Sequence, residues 1–206
     1  MLDPRHRNVY HDARSLAGFV AGYAQDYTRG LNGVDMEALE RAIAAIQKAA
    51  VDGARIYAMG NGGSTAVTDH LCCDFTKGTD TEGHPPIASH SLGANAPLVS
   101  AIANDFGYQF IFSKQIGYYC KPGDILIGIS SSGNSDNIVT AIEKAQAMGV
   151  LTIGISGFNG GKLAEMADIS LHVAVDNYGV VEDCHQSLMH IIAQSVVRRR
   201  EGKQAW

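Results

Sequence analysis

The sequence predicts an α/β fold, with a doubly wound, five-stranded parallel sheet that follows an N-terminal helical hairpin. Short apolar segments such as Asp124-Ile-Leu-Ile-Gly-Ile lack polar alternation, as expected of strands buried on both faces. Helical patterns separate these segments, which favours right-handed crossovers between parallel strands. Strands are predicted near 55–59, 87–91, 124–129, 151–155 and 169–175. Helices are predicted near 63–77, 96–103, 107–119, 135–148, 160–166 and 181–200.

Two further helices are predicted before the first strand. Apolar residues recur at three- and four-residue spacing from about Arg5 until Gly30–Gly33 interrupt them, and a second helix runs from Asp35, a candidate cap, to Ala50. We interpret residues 1–206 as one domain, in which 1–53 form the hairpin and 54–206 form the core. Because the α/β unit looks complete without the hairpin, we expect at least one of its helices to pack on another subunit.

Composition narrows the class of protein. The chain has 206 residues, is 46% hydrophobic and carries a net charge of −5, which suits one globular domain and argues against a nucleic-acid surface. No apolar run is long enough to span a bilayer, and the polar N-terminus lacks the character of a signal peptide. The four cysteines form no C-x-x-C pair. We therefore expect a cytoplasmic protein without a membrane or nucleic-acid partner.

A serine-rich turn, Gly128-Ile-Ser-Ser-Ser-Gly-Asn-Ser135, lies between a predicted strand and a predicted helix. The first N–H groups of a helix lack intrahelical partners, and the helix dipole favours an anion there. Ser130, Ser131, Ser132 and Ser135 add hydroxyl donors, so the turn suits a phosphate group held by neutral donors. The alternative is a structural turn in which Ser135 only caps the helix.

A second turn of this kind, Gly60-Asn-Gly-Gly-Ser64, follows the strand-like run Arg55-Ile-Tyr-Ala-Met. Two such turns suggest one ligand held from two loops at the carboxyl edge of a sheet. Thr65 occupies the third glycine position of a dinucleotide fingerprint, and no Gly-Lys-Ser/Thr follows as in a Walker A loop. Nucleotide binding is therefore the weaker interpretation.

Acidic and imidazole groups are concentrated on two predicted helices. His70 and Asp74 are four residues apart and share a helix face, although a surface His–Asp pair would have the same spacing. The last helix contains Glu182-Asp-Cys-His-Gln-Ser-Leu-Met-His190, in which Glu182 and His190 are separated by roughly 12 Å along the axis. These two residues could flank one small site. Capping acids together with a core histidine are the alternative.

Taken together, these motifs resemble the sugar isomerase (SIS) domain family. Gly60–Ser64, Ala103-Asn-Asp-Phe-Gly107 and Gly128–Ser135 carry the resemblance, which extends over nearly the whole chain and is greatest to the phosphoheptose isomerase branch. The resemblance implies a flavodoxin-like α/β fold, a phosphosugar substrate, and a homotetramer with its sites at subunit interfaces. It also implies one divalent metal ion per site, with zinc as the expected metal.

The resemblance assigns roles to residues at matching positions. The implied catalytic residues are Asp74 as base and His190 as the opposing acid or base, and the implied metal ligands are His70, Asp74, Glu182 and His190. The implied substrate-binding residues are Asn61, Gly62, Gly63, Ser64, Asn95, Ser130, Ser131, Ser132 and Ser135. Three positions depart from the family pattern: Asp74 replaces a glutamate, Glu182 replaces a glutamine, and Asn95 replaces an aspartate.

The activity implied by the resemblance is aldose–ketose isomerisation of sedoheptulose 7-phosphate to D-glycero-D-manno-heptose 7-phosphate. Two alternatives remain at this stage. The chain could act as an isomerase or epimerase on another phosphosugar, or it could be a non-catalytic SIS module that binds a phosphosugar or a protein. The three departures favour the non-catalytic alternative, whereas the presence of both His70 and His190 argues against it.

Overall fold

A computed structural model of the chain describes residues 13–202. The elements, in chain order, are α1 (Leu16–Asn32), α2 (Met36–Asp52), β1 (Ile56–Gly60), α3 (Gly63–Cys73), a π-helical segment (Asp74–Gly78), β2 (Ser89–Ser91), α4 (Ala96–Phe106), a 3-10 turn (Tyr108–Phe110), α5 (Ser113–Tyr119), β3 (Ile125–Ser130), α6 (Asp136–Ala147), β4 (Leu151–Ser156), α7 (Gly161–Met166), β5 (Ile169–His172) and α8 (Tyr178–Arg200).

The five strands form one parallel sheet in the order β2-β1-β3-β4-β5, which confirms the predicted fold class. Strands β1 and β3 are buried along their whole length, as their unbroken apolar sequences predicted. One face of the sheet packs against α2, α3 and α8, and the other packs against α4, α5, α6 and α7. No helix between residues 13 and 202 combines the length and hydrophobicity that crossing a membrane requires.

Several element boundaries differ from the predicted ones. Helix α8 begins at Tyr178 rather than near 181, because the Asn177 side chain accepts a hydrogen bond from the Val180 N–H and caps it. Strand β5 ends at His172, because the Val175 N–H bonds to the Val173 carbonyl in a tight turn. The predicted helix 63–77 continues beyond Cys73 as the π-helical segment, and the predicted helix 107–119 is divided into a 3-10 turn and α5.

The two helices of the N-terminal hairpin pack against different parts of the chain. Helix α2 buries Leu39, Ile43 and Ile46 against the chain's own sheet, and Asp35 caps its first turn as predicted. Helix α1 lies on α8 and leaves Leu16 80% exposed. Helix α1 therefore retains exposed apolar side chains that another subunit could cover, and that packing stays a prediction. The part of the predicted first helix before residue 13 lies outside the described residues.

The loops that follow β3 and β4 are in direct backbone contact. The Gly157 N–H donates to the Ser131 carbonyl over 3.1 Å, and the Leu163 N–H donates to the Gly133 carbonyl over 2.9 Å. Gly133 has φ = +65°, and a Cβ atom there would lie 2.0 Å from the Gly160 carbonyl oxygen. The serine-rich turn is thus held by the next loop, and only glycine fits at this contact.

We expect Gly133→Ala to lower the free energy of unfolding much more than Gly123→Ala does. Gly123 also has a positive φ, +92°, but a Cβ atom there would meet nothing within 4 Å. Gly123→Ala should therefore cost about 1–2 kcal/mol of backbone strain alone, whereas Gly133→Ala adds a backbone clash. Urea unfolding at pH 7 measures both variants, and equal losses would contradict the close contact.

His185 is a buried polar residue of α8 that lies near Ser156, the last residue of β4. Its side chain is fully buried, and neither ring nitrogen has a hydrogen-bond partner in the described part of the chain. Burial lowers the pKa of His185 to about 4, although the nearby Ser156 backbone opposes this effect. The ring is therefore neutral at pH 7.

This burial predicts an acid-dependent loss of stability. Between pH 6.5 and 4 the unfolded chain binds a proton at His185 and the folded chain does not. The contribution of His185 to the free energy of unfolding is therefore fully present above pH 6.5 and is lost as the pH falls toward 4. The loss is about 3 kcal/mol over that range. His185→Phe should make the unfolding free energy less dependent on pH in urea titrations at pH 7 and 4.5. His90→Phe, at an exposed position, serves as the control for replacing a histidine by phenylalanine.

Candidate functional site

The two glycine- and serine-rich turns meet at one edge of the sheet. Strands β1 and β3 are parallel neighbours, so the turn after β1 lies beside the turn after β3. Between them is a pocket of about 130 Å³. Its lining combines predicted substrate-binding residues with three further side chains: Asn61, Ser64, Ser130, Ser131, Ser132, Ser135, Ile129, Tyr178 and Glu182. We refer to it as the serine pocket.

The serine pocket is lined with hydroxyl groups and helix N-termini. Helix α3 begins at Gly63 and α6 begins at Asp136, so the first N–H groups of both helices lie beside it. Ser135 occupies the N-cap position of α6, but its side chain makes no capping hydrogen bond. The alternative interpretation, in which the Ser135 side chain only caps the helix, is therefore not supported, because the hydroxyl group makes no capping hydrogen bond.

Asn61 and Asn95 have different surroundings. Asn61 lines the serine pocket, exchanges amide hydrogen bonds of 2.9 and 2.8 Å with Asn137, and accepts one from the Tyr108 hydroxyl. Asn95 caps α4 by accepting from the Leu98 N–H, and it lines a separate cavity of about 260 Å³. The structure thus places Asn61, but not Asn95, in the serine pocket.

His70, Asp74 and His190 form a cluster in which one possible ligand atom from each residue lies within 4.8 Å of the others. His190 Nδ1 lies 3.1 Å from Asp74 Oδ2, and His70 Nε2 lies 3.6 Å from Asp74 Oδ1. The two imidazole rings meet edge to face, with centroids 5.0 Å apart. The predicted His70–Asp74 face is therefore joined by His190 from the last helix.

Asp74 begins the π-helical segment, a conformation that is frequent at functional sites. The chain beyond this segment is anchored to the end of α8. Arg200 donates from Nη1 to the Thr79 carbonyl over 2.7 Å and from Nη2 to the Pro85 carbonyl over 2.9 Å. Helix α8 therefore contacts Asp74 through His190, and through Arg200 it holds the chain that follows the π-helical segment.

Glu182, predicted as a fourth metal ligand, lies at the serine pocket and not in the His–Asp cluster. A Cβ atom on Gly63 would lie 2.8 Å from the carboxylate oxygens of Glu182. Glu182 therefore fits beside the start of α3 because Gly63 has no side chain. Burial raises the pKa of Glu182, and the neighbouring Asp183 raises it further.

Gln186 contacts both histidines of the cluster, and the sequence analysis did not identify it. Its Nε2 lies 2.9 Å from His70 Nδ1 and 3.1 Å from His190 Nε2. The sequence contains a pattern that points to Gln186: Glu182, Gln186 and His190 are spaced four residues apart and so lie on one stripe of α8. Because an amide does not titrate, Gln186 does not stand out in the sequence among the acidic and imidazole groups of α8.

The chain is similar to known proteins over most of its length. The model of the SIS domain family matches residues 22–157. A phosphoheptose isomerase of Aquifex aeolicus is 34% identical over 95% of this chain and 96% of its own length. A probable phosphoheptose isomerase of Thermoplasma acidophilum is 33% identical over 84% of this chain and 95% of its own.

A solved structure has the same fold. The phosphoheptose isomerase of Neisseria gonorrhoeae superimposes with a TM-score of 0.80 and 28% identity, covering 88% of this chain and 98% of that one. These matches agree with the strand order and with the position of the two turns. The chain belongs to the SIS domain family, and its relatives within that family include phosphoheptose isomerases.

Proposed function

We propose that the chain is an aldose–ketose isomerase that converts sedoheptulose 7-phosphate to D-glycero-D-manno-heptose 7-phosphate. The identity of its relatives supports the reaction. One observation on this chain carries the proposal further: the stripe Glu182–Gln186–His190 of α8 runs from the serine pocket to the His–Asp cluster. Its ends are about 12 Å apart, so an extended sugar phosphate can reach both.

The serine pocket is the proposed phosphate site. Five serine hydroxyls (Ser64, Ser130, Ser131, Ser132 and Ser135) and the N-termini of α3 and α6 offer neutral donors. Asn61, Gly62 and Gly63 complete the loop that approaches the ligand. Binding of this remote phosphate would hold the carbonyl end of the sugar against the cluster, which converts binding energy into orientation.

Asp74 and His190 are the proposed acid–base pair. Isomerisation removes a proton beside the carbonyl group and returns one to the neighbouring carbon. Asp74 is the base that accepts the first proton and, once protonated, the acid that returns it to the neighbouring carbon. His190, whose Nδ1 lies 3.1 Å from Asp74 Oδ2, is the group that exchanges protons with the sugar oxygens. His70 keeps the other carboxylate oxygen, Oδ1, facing the cluster at 3.6 Å.

The same cluster suits a divalent metal ion. Two imidazoles and a carboxylate with mutually close ligand atoms are a typical donor set for zinc, and we propose His70, His190 and one oxygen of Asp74 as its ligands, which leaves the second Asp74 oxygen to act as the base. A bound ion would stabilise negative charge on the sugar oxygens during proton transfer. We assign Glu182 to the phosphate end of the site rather than to the metal ion, because it lines the serine pocket.

We further propose a cytoplasmic homotetramer with its sites near subunit interfaces. Large apolar side chains are exposed on several surfaces of the described chain, and such patches suit contacts between subunits. Leu16 and Val20 lie on α1, whereas Phe106 and Tyr118 lie on the α4 and α5 side. The cysteines Cys72, Cys73, Cys120 and Cys184 are all free thiols, which suits a reducing compartment.

Asp74→Asn tests the proposed chemistry. The amide keeps the shape of the side chain but cannot accept the proton, so kcat should fall by at least ~10²-fold. Inorganic phosphate should bind as it does to the unmodified chain, since Asp74 does not line the serine pocket. Conversion of sedoheptulose 7-phosphate, followed by NMR with added zinc and with a chelator, measures the activity.

Asp69→Asn is the matched control, because Asp69 lies on the same helix but is exposed and outside the cluster. It should retain activity. If Asp74→Asn retains full activity, the assignment of the base is wrong. If the unmodified chain binds phosphate but converts no sedoheptulose 7-phosphate, the proposed reaction itself is wrong.

Glu182→Gln tests the position of Glu182 in the serine pocket. A carboxylate facing a phosphate opposes its binding by about 1 kcal/mol at close range in a water-like medium, so its removal should tighten binding of inorganic phosphate about fivefold. The gain should shrink as the pH falls, because the raised pKa leaves Glu182 neutral sooner. Calorimetry measures the affinity, and Glu165→Gln, at an exposed position of α7, is the control.

A further inference from the structure

Each histidine of the cluster lies between Gln186 on one side and Asp74 on the other. His70 Nδ1 and His190 Nε2 face the Gln186 amide, at 2.9 and 3.1 Å. The opposite ring nitrogens, His70 Nε2 and His190 Nδ1, face the Asp74 carboxylate at 3.6 and 3.1 Å. One amide thus contacts both rings, and one carboxylate contacts both rings from the other side.

This arrangement is compatible with two placements of the ring protons. A neutral imidazole has one N–H donor and one acceptor nitrogen, and an amide offers donors at one end and an acceptor at the other. When the amide N–H groups face the rings, His70 Nδ1 and His190 Nε2 accept. The ring protons then reside on His70 Nε2 and His190 Nδ1; the His190 N–H donates to Asp74 over 3.1 Å, and the His70 N–H faces Asp74 Oδ1 at 3.6 Å. This pattern is closed to a cation, because protons occupy the space beside the carboxylate.

The second pattern arises when the Gln186 amide turns over. Its Oε1 then accepts from His70 Nδ1–H and His190 Nε2–H, and the lone pairs of the opposite nitrogens are directed toward Asp74. A metal ion needs unprotonated nitrogens, and metal-bound histidines usually donate their other N–H to an oxygen. The second pattern meets both conditions without changing the number of protons on the rings.

We propose that Gln186 is a positioning residue whose amide orientation selects the ring nitrogens that face Asp74, and so opens or closes the cluster to a divalent cation. The inference rests on the metal site proposed above. The amide turns about a broad terminal torsion. Each ring exchanges its proton between its two nitrogens through water, which is accessible because the His70 and His190 side chains are 49% and 38% exposed.

Two substitutions separate the roles of the amide. Gln186→Met keeps the volume but can neither donate to nor accept from the rings, so it cannot hold either pattern. Gln186→Glu, when ionised, can only accept and therefore favours the open pattern. Gln194→Glu adds the same charge one turn beyond His190, at an exposed position outside the Gln186 contacts, and controls for charge alone.

Zinc titration of the metal-free full chain tests the proposal by calorimetry with a competing chelator. Gln186→Met should weaken zinc binding by about 10- to 100-fold. Gln186→Glu should bind zinc more tightly than Gln194→Glu does. Equal zinc affinity of Gln186→Met and the unmodified chain would overturn the inference and leave the metal site standing. Absence of zinc binding by the unmodified chain would overturn both.

The ring protons provide a second readout that does not depend on activity. Nitrogen-15 NMR of the labelled imidazoles, assigned with His70 and His190 variants, reports which nitrogen of each ring is protonated. We expect the proton on His70 Nε2 and His190 Nδ1 without metal, and on His70 Nδ1 and His190 Nε2 with zinc. Protonation of the same nitrogens in both states would exclude the turning amide.

Discussion

The site depends first on the parallel pairing of β1 with β3. Because parallel strands end at the same edge, this pairing brings the turn after β1 beside the turn after β3. The start of α3 and the start of α6 are placed at that edge for the same reason. Gly133 then allows the loop after β4 to support the serine-rich turn through backbone hydrogen bonds. The serine pocket is therefore a consequence of strand order and of close backbone packing.

Helix α8 connects this pocket to the rest of the molecule. Three of its faces have different partners, as the 3.6-residue period of a helix allows. Asp183 and Ser187 accept or share hydrogen bonds with Tyr23 and Tyr27 of α1, over 2.5 and 2.6 Å. A second face, which includes Leu188, is buried in the core. The third carries Glu182, Gln186 and His190, so a movement of α8 relative to α3 would alter both parts of the site.

The two parts of the site differ in their electrostatics. In the described lining of the serine pocket there is no lysine or arginine, so hydroxyl groups and helix dipoles supply its attraction for an anion. Glu182 is its single acidic side chain, and burial raises the pKa of that carboxyl group. In the cluster, Asp74 is one methylene shorter than the glutamate implied by the family resemblance, yet it reaches His190 at 3.1 Å. The π-helical segment begins at this residue.

The sequence by itself determined the features that arise from short-range patterns. Apolar runs predicted the five strands, the Asp35 side chain predicted the start of α2, and four-residue spacing predicted that His70 and Asp74 share a face. Only the tertiary structure decided which side chains of α8 face α3. Helical spacing gives the angle between residues of one helix but not the rotation of that helix against its neighbour, which core packing sets. For that reason Glu182 lies at the serine pocket, and the uncharged Gln186 lies between the two histidines.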